Sequence, residues 1–408
     1  MTIEQIREQL PQLRETVYGK QLVYLDNAAT SLRPQSVIDK WEEMSARYNA
    51  NLHRAVHYMA EKATGEYENA RKAVKEYISA PSDGEVVFTS GATASLNLIA
   101  FCLGELNIGE GDEVIIAESE HHSNIVPWQM MCQRKGAVIK VLPVDERGCL
   151  RIDLLSDMIT EGRTKAVCVA HISNVLGIIN PIEDIVNICH SKGCAVIADG
   201  AQGIVHTRVD VGKLDCDFYV FSGHKLYAAP GTGVLYAKKQ WLDRMPPYMG
   251  GGEMIDTVTW EKTTYAKAPQ KFEAGTQNIA GIPTLIPALQ FAKELNDNEI
   301  ESSYKKVGAF VLNALKEDER ITVFGDPQDV ETKIPLFSFT VKGAHHEDLA
   351  LILDKMGIAV RSGQMCAEPL MTRFGTSGML RASFAPYNTM QEAGYFIESL
   401  EKAISMLM

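Results

Sequence analysis

A chain of 408 residues, 46% of them hydrophobic, is long enough for two domains or one large one around a sizeable core. A net charge of −12 with no long basic run argues against a nucleic-acid surface, because phosphate recognition needs clustered lysine and arginine; a small-molecule substrate is the expectation. Eight cysteines without a C-x-x-C pair suit reduced thiols rather than a disulfide or zinc framework, and no metal site is expected.

The opening "MTIEQIREQLPQLRETVYGK" alternates acids and bases at helical spacing and lacks the apolar stretch of a signal peptide. It predicts a helix over 2–17 packed against the C-terminal part of the chain. No apolar run approaches the length that crosses a bilayer, so a cytoplasmic protein without a membrane partner is expected. From about residue 85, short β-branched runs alternate with amphipathic stretches. "EVVFTS", "DEVIIAES", "GAVIKVL", "KAVCVAH" and "CAVIADG" read as strands buried on both faces, with helices over 93–103, 124–136 and 181–193 between them. That rhythm predicts an α/β fold: right-handed crossovers and a mainly parallel sheet covered by helices. Residues 246–278 hold many turn formers and little periodicity, which predicts a long irregular segment forming part of a site wall. Beyond them, helices over 284–297, 300–317, 346–356 and 389–407 alternate with the strands "ITVFG", "IPLFSFTV" and "GIAVRSG", an α+β lobe.

Ligands of open α/β sheets sit beyond the carboxyl ends of the strands, and five such ends carry polar groups here. Gly91 to Thr93 open a helix whose free N–H groups suit a phosphate. Glu120 to Asn124, Ser173 and Asn174, Asp199 and Gln202, and Ser222, His224 and Lys225 follow the other strands. Each has a plain alternative: an ordinary N-cap, an exposed histidine, a lysine that snorkels outward. Their convergence on one sheet edge favours a site. A buried ammonium is costly, but a buried lysine can lose its proton and form a Schiff base with an aldehyde. Pyridoxal phosphate combines an aldehyde, a phosphate and a basic ring nitrogen. Asp199 suits the ring nitrogen and His122 the ring face; Thr93, Ser222 and His224 suit the phosphate, and Gln202 the ring hydroxyl.

Seven cysteines lie in apolar or regular contexts, where a thiol is inert. Cys366, in "AVRSGQMCAEPLM", lies in a short loop near Arg361, and a cationic neighbour favours the reactive thiolate. The loop's shortness predicts that Cys366 is poorly exposed. Arg381, in the apolar run "MLRASFAPYN", suits an amino-acid carboxylate; a structural ion pair is the alternative.

"YLDNAATS", "HRAVH", "EHHSNIVPWQ", "HISNVLG", "ADGAQ", "FSGHK", "FEAGTQN", "RSGQMCAEPLM" and "LRASFAPYNT" together resemble the group II, Suf-type cysteine desulfurases within the aminotransferase class V family. The resemblance implies a fold-type I pyridoxal-phosphate homodimer that converts L-cysteine to L-alanine and leaves a persulfide on the enzyme. It implies a large cofactor domain over 21–290 with a mainly parallel seven-stranded sheet, and a small α+β domain from 1–20 and 291–408. By the same resemblance Lys225 is the Schiff-base lysine, Asp199 the ring-nitrogen partner and His122 the stacking residue. Asn174 and Gln202 contact the ring hydroxyl or substrate, while Thr93, Ser222 and His224 bind phosphate. Gly275 and Thr276 complete the neighbouring subunit's phosphate pocket, Arg381 and Arg361 bind substrate, Cys366 takes the sulfur, and His53 and Arg54 stand near the site entrance. The implied partner is a sulfur acceptor for iron–sulfur cluster assembly, SufE-like or SufU-like. A selenocysteine lyase, or a non-catalytic scaffold on the same fold, are the alternatives. Two departures stand out: Gln364 and Met365 replace the histidines that precede the reactive cysteine in many relatives, and Ala94 replaces an acid after the phosphate-binding threonine.

Overall fold

Seven apolar runs pair into one sheet in the computed structural model, which describes residues 2–296, 298–326 and 330–408. They are β1 (Val86–Thr89), β2 (Glu113–Ala117), β3 (Val138–Leu142), β4 (Thr164–Ala170), β5 (Ala195–Asp199), β6 (Phe218–Ser222) and β7 (Gly233–Ala237). The order across the sheet is β1-β7-β6-β5-β4-β2-β3. β7 runs antiparallel to both its neighbours, while the pairs from β6 to β3 are parallel. The reversal is physical: residues 223–232 are too few for a parallel crossover. β5, β6 and β7 are buried throughout, as continuous apolar runs require when helices cover both faces. β3 departs from the expectation of burial on both faces. It is the edge strand, and Val138 and Val141 are exposed because no described strand pairs on its outer side.

A second, antiparallel sheet is built by β8 (Ile321–Phe324), β9 (Leu336–Val341), β10 (Arg361–Gly363) and β11 (Met379–Ser383), in the order β8-β9-β11-β10. Helices Asn298–Glu317, His346–Lys355 and Met390–Leu407 accompany it, and Phe337, Phe339, Phe384 and Phe396 are fully or almost fully buried in its separate core. The helix predicted over 284–297 forms as Leu285–Leu295, and its last predicted residue lies outside the described residues.

Three further expectations change. The opening helix stops at Glu8: Pro11 has no N–H to continue the ladder, a 3-10 turn covers Pro11–Arg14, and Thr16–Val17 pairs with Lys20–Gln21. This segment bridges both lobes, since Ile6, Leu10 and Leu13 join the core of the large sheet while Arg7 donates to Tyr387 O and Glu392. The 246–278 stretch contains a hairpin, Ile255–Val258 with Thr263–Tyr265, carrying a fully exposed Trp260. "GIAVRSG" divides: Ile358–Ala359 pairs in parallel with Val23–Tyr24, and the chain then bends so that β10 joins the second sheet. Ser383 N–H donates to Leu25 O at 2.7 Å, so residues 25–30 enter the cleft between the sheets. Among the described residues no helix is long and apolar enough to cross a membrane.

Candidate active site

The carboxyl ends of β4, β5 and β6, the first turn of helix α1 (Ala92–Asn107), residues 28–29 and the loop after β10 enclose a cavity of about 210 Å³. It is lined by Thr93, Asn174, Asp199, Gln202, Ser222, His224, Lys225, Arg361, Cys366 and Arg381, ten of the residues singled out from sequence.

At one end lies an anion cradle. The first N–H groups of a helix have no intrahelical acceptor, and the positive end of its dipole faces outward. Ala92 N–H donates to Ser222 Oγ at 2.8 Å, which leaves the Ser222 hydroxyl proton free, and Thr93 and His224 stand beside it. The turn depends on glycine: a Cβ on Gly233 of β7 would lie 2.3 Å from the Gly91 Cα, so the strand approaches the turn at backbone contact.

The centre holds Asp199 and Lys225. Asp199 is buried, and its Oδ1 accepts from Ala201 N–H at 2.9 Å. Burial raises its carboxyl pKa against the lowering pull of Lys225. Burial likewise lowers the Lys225 amine below the usual lysine value, against the pull of Asp199. Among the described residues the Lys225 amine has no hydrogen-bond or ion-pair partner, although it lies in the cavity wall. Gln202 is fixed by donating Nε2–H to Ala28 O at 2.7 Å. Below the floor, Glu120 is fully buried, accepting from Asn124 Nδ2 and Ala170 N–H; burial and the neighbouring Asp199 charge push its carboxyl up to about 8.

Over the centre the structure puts His121, not His122. His121 caps the 3-10 turn His122–Asn124, its Nδ1 accepting from Ser123 N–H, and its ring and Ser123 line the cavity. Burial and the Lys225 cation hold it near pKa 4, so it is neutral at pH 7. His122 turns outward, where its Nε2 accepts from Glu368 N–H at 3.1 Å, and its own N–H donates to Cys366 O at 2.8 Å. Adjacent residues of a tight turn point in different directions, and the pair "HH" carries no signal of which one faces in.

The roof is the loop after β10. Met365 and Cys366 both have positive φ, 53° and 56°, a conformation that costs a non-glycine residue energy. Hydrogen bonds offset that cost: Asn174 Nδ2 donates to Met365 O at 2.9 Å, and His122 N–H to Cys366 O. Cys366 is exposed, contrary to the expectation from loop length: Met365 is buried, while Cys366 lines the cavity and remains open to solvent. Arg381 is buried; its Nη1 donates to Asn174 O at 2.8 Å, its Nη2 to Asp26 at 3.0 Å, and its Nε has no partner among the described residues.

Other candidates lie elsewhere. Thr276 lines a second cavity with Tyr67, Phe88 and Tyr248, and Gly275 sits in the same loop with φ 82°. His53 faces Glu68 at 3.6 Å, and Arg54 pairs with Glu253 at 3.0 Å. The irregular 246–278 stretch does not wall the Lys225 cavity within one chain.

Known proteins resemble this chain along its whole length. The aminotransferase class-V family profile matches residues 23–396. The probable cysteine desulfurase of Vibrio cholerae is 42% identical over 407 residues, with full coverage of both chains. That of Halalkalibacterium halodurans is 42% identical over 402 residues, 98% of each. The crystal structure of the Escherichia coli cysteine desulfurase CsdA superposes with a TM-score of 0.91 at 37% identity, covering 100% of both chains. The apo structure of the Thermococcus onnurineus NA1 cysteine desulfurase does so at 0.93 and 35% identity, covering 100% of this chain and 99% of the other. With a match that spans both sheets and every wall of the cavity, the chain belongs to the aminotransferase class-V family.

Proposed function

We propose that the protein is a pyridoxal-phosphate-dependent cysteine desulfurase. The observation that carries this reading is one cavity holding a half-buried lysine without a partner among the described residues, a buried carboxylate, an anion cradle and a thiol. The donor set fits the cofactor: Thr93, Ser222, His224 and the α1 N-terminus for its phosphate, Asp199 for its ring nitrogen, His121 for its ring face, Gln202 and Asn174 for its hydroxyl and Lys225 for its aldehyde. Bound there, the cofactor would supply an electron sink for the substrate's α-carbon.

The chain's own groups supply the rest. Arg381 orients the L-cysteine carboxylate through a guanidinium already held by Asn174 O and Asp26. The Lys225 amine, whose charged form burial disfavours, takes and returns the α-proton. Cys366 Sγ attacks the substrate sulfur, the carbon–sulfur bond breaks, and L-alanine leaves with the persulfide retained on Cys366. An exposed Cys366 suits collection of that sulfur by an acceptor protein, SufE-like or SufU-like, for iron–sulfur cluster assembly. We read Gly275, Thr276, His53 and Arg54 as serving the partner's site in a homodimer. Their position outside their own chain's cavity and the exposed Val258, Trp260 and Tyr265 of the hairpin support this. On this reading residues 21–290 form the cofactor domain, and 1–20 with 291–408 the small domain.

The test is direct. Protein mixed with pyridoxal phosphate is expected to turn yellow, to be labelled at Lys225 after borohydride reduction, and to form alanine from cysteine. Colourless protein, or a Lys225→Ala variant with unchanged turnover, defeats the proposal. Turnover with SufE-like and SufU-like acceptors in parallel identifies the partner class.

A further inference from the structure

Glu273 lies outside the Lys225 cavity, and its carboxylate receives four donors, about as many as a carboxylate can accept. Its Oε1 accepts from Arg71 Nη1 and from Phe88 N–H, both at 2.7 Å. Its Oε2 accepts from Arg71 Nη2 at 2.9 Å and from the Tyr67 hydroxyl at 3.1 Å. The Arg71 and Glu273 side chains are 2% and 1% exposed, so the pair is shielded from water. Arg71 is itself fixed: Nη1 also donates to Val86 O at 2.7 Å, Nε donates to Glu68 at 2.9 Å, and the guanidinium lies over the Phe88 ring. One carboxylate thus joins three elements, the helix Tyr58–Tyr77, strand β1 and the loop that Glu273 begins.

That loop, residues 273–278, is tethered along its length. Gly275 N–H donates to Gly252 O, Gln277 Nε2 to Glu273 O and Asn278 Nδ2 to Gly231 O, each at 3.0 Å. Between these tethers stands Thr276, exposed, with a hydroxyl that makes no hydrogen bond among the described residues. Next to it the buried Gln277 Oε1 also has no partner among the described residues. The loop therefore presents two polar groups that this chain by itself does not satisfy. A buried ion pair is a poor source of stability, since desolvation offsets most of the attraction. What the Arg71–Glu273 pair supplies is a fixed geometry: a hydroxyl on a tethered loop meets an anion without the ordering cost that a free loop bears.

We infer that Glu273, clamped by Arg71, is a positioning residue for cofactor binding: it fixes the 273–278 loop so that Thr276 meets the phosphate of the cofactor held in the partner subunit's site. The inference rests on the pyridoxal-phosphate reading proposed above and on Thr276 serving the partner's site. Neither Glu273 nor Arg71 touches the cofactor; both act through the loop.

The experiment titrates the cofactor-free, full-length protein with pyridoxal phosphate and with pyridoxal, which lacks the phosphate, and reads the visible absorbance. Glu273→Gln keeps an acceptor for Phe88 N–H but removes the charge and turns a donor toward Arg71 or Tyr67. It is expected to weaken pyridoxal phosphate by about tenfold, equivalent to about 1.4 kcal/mol, and to leave pyridoxal within about twofold. A merely structural loss weakens both compounds alike, so an unchanged ratio of the two constants overturns the inference. Thr276→Ala is expected to show the same selective loss, and adding Glu273→Gln to it is expected to move the ratio by less than about twofold more. An unchanged ratio in Thr276→Ala, or a full further tenfold in the double variant, also overturns it. Should Glu273→Gln fail to fold, hydrogen exchange on the cofactor-free wild type decides: peptide 273–278 is expected to be protected, and complete exchange within seconds overturns the clamp. A wild type that binds the cofactor but makes no alanine defeats the desulfurase reading, while the ratio still judges Glu273. A wild type that takes up neither compound defeats the cofactor reading and this inference with it.

Discussion

The floor and the roof of the cavity are built on opposite physical terms. The floor comes from strand ends and helix starts: Asp199, Gln202 and Ser222 are buried, and burial with nearby cations keeps His121 and His224 neutral. The roof is β10 and the short loop after it, with Arg361 and Cys366 exposed and two consecutive residues of positive φ. A rigid, desolvated floor sets the charge of the reacting groups, and a strained, accessible roof brings a nucleophile that must also meet a protein partner. The two are tied by a few named bonds, from Asn174 to Met365 O, from His122 N–H to Cys366 O and from Glu368 N–H to His122. Burial by itself does not make a site. Lys333 is also half-buried, with its amine held down to about 7, yet it is spent on a hydrogen bond to Leu176 O and lines no part of this cavity.

Removing the roof's nucleophile alone is the strongest way to separate the two regions. Cys366→Ala is expected to lower alanine formation from cysteine on the order of 10³-fold, while the visible absorbance of the loaded protein stays unchanged; loss of that absorbance means roof and floor are not separable. Among eight thiols, Cys366 is also expected to react first with a maleimide, since the others are buried or half-buried. On the floor, Asp199→Asn keeps the shape but removes the charge, and turnover is expected to fall roughly 10²-fold, with a shifted absorbance band. A contrast between neighbours sharpens the boundary. His121→Ala is expected to cost about tenfold in turnover and weaken cofactor retention, whereas His122→Ala, acting through the roof, costs about threefold or less and leaves retention intact; equal effects in a spectrophotometric titration refute the inward assignment of His121.

The smallest effect concerns stability. His171 is buried under the floor against the Tyr219 hydroxyl, its Nδ1 2.9 Å away, and burial lowers its pKa from 6.5 to about 4. The unfolded chain therefore takes up the proton first, so the contribution of His171 is present above pH 6.5 and is lost as pH falls toward 4. In urea unfolding of the cofactor-free protein, His171→Gln is expected to show a shallower loss of stability than wild type across pH 6.5 to 4. An identical slope removes His171 from the acid response.

Periodicity and residue chemistry sufficed for the parallel part of the sheet, because strands such as β2 and β5 are apolar on both faces and only a helix-covered sheet can bury them. They sufficed for the cavity's centre too, since a lysine, a carboxylate and small residues at successive strand ends must meet at one edge. They did not show that "GIAVRSG" pairs with two different partners, which depends on the strand at 23–24 arriving from the far end of the chain. Nor did they tell His121 from His122, reveal that Cys366 is exposed, or place Asp26 behind Arg381. What the sequence determined follows from local burial preference and spacing. What only the tertiary structure decided is the direction of side chains in turns and the long-range contacts that fix them, such as Asn174 with Met365 and Leu25 with Ser383, which no local pattern encodes.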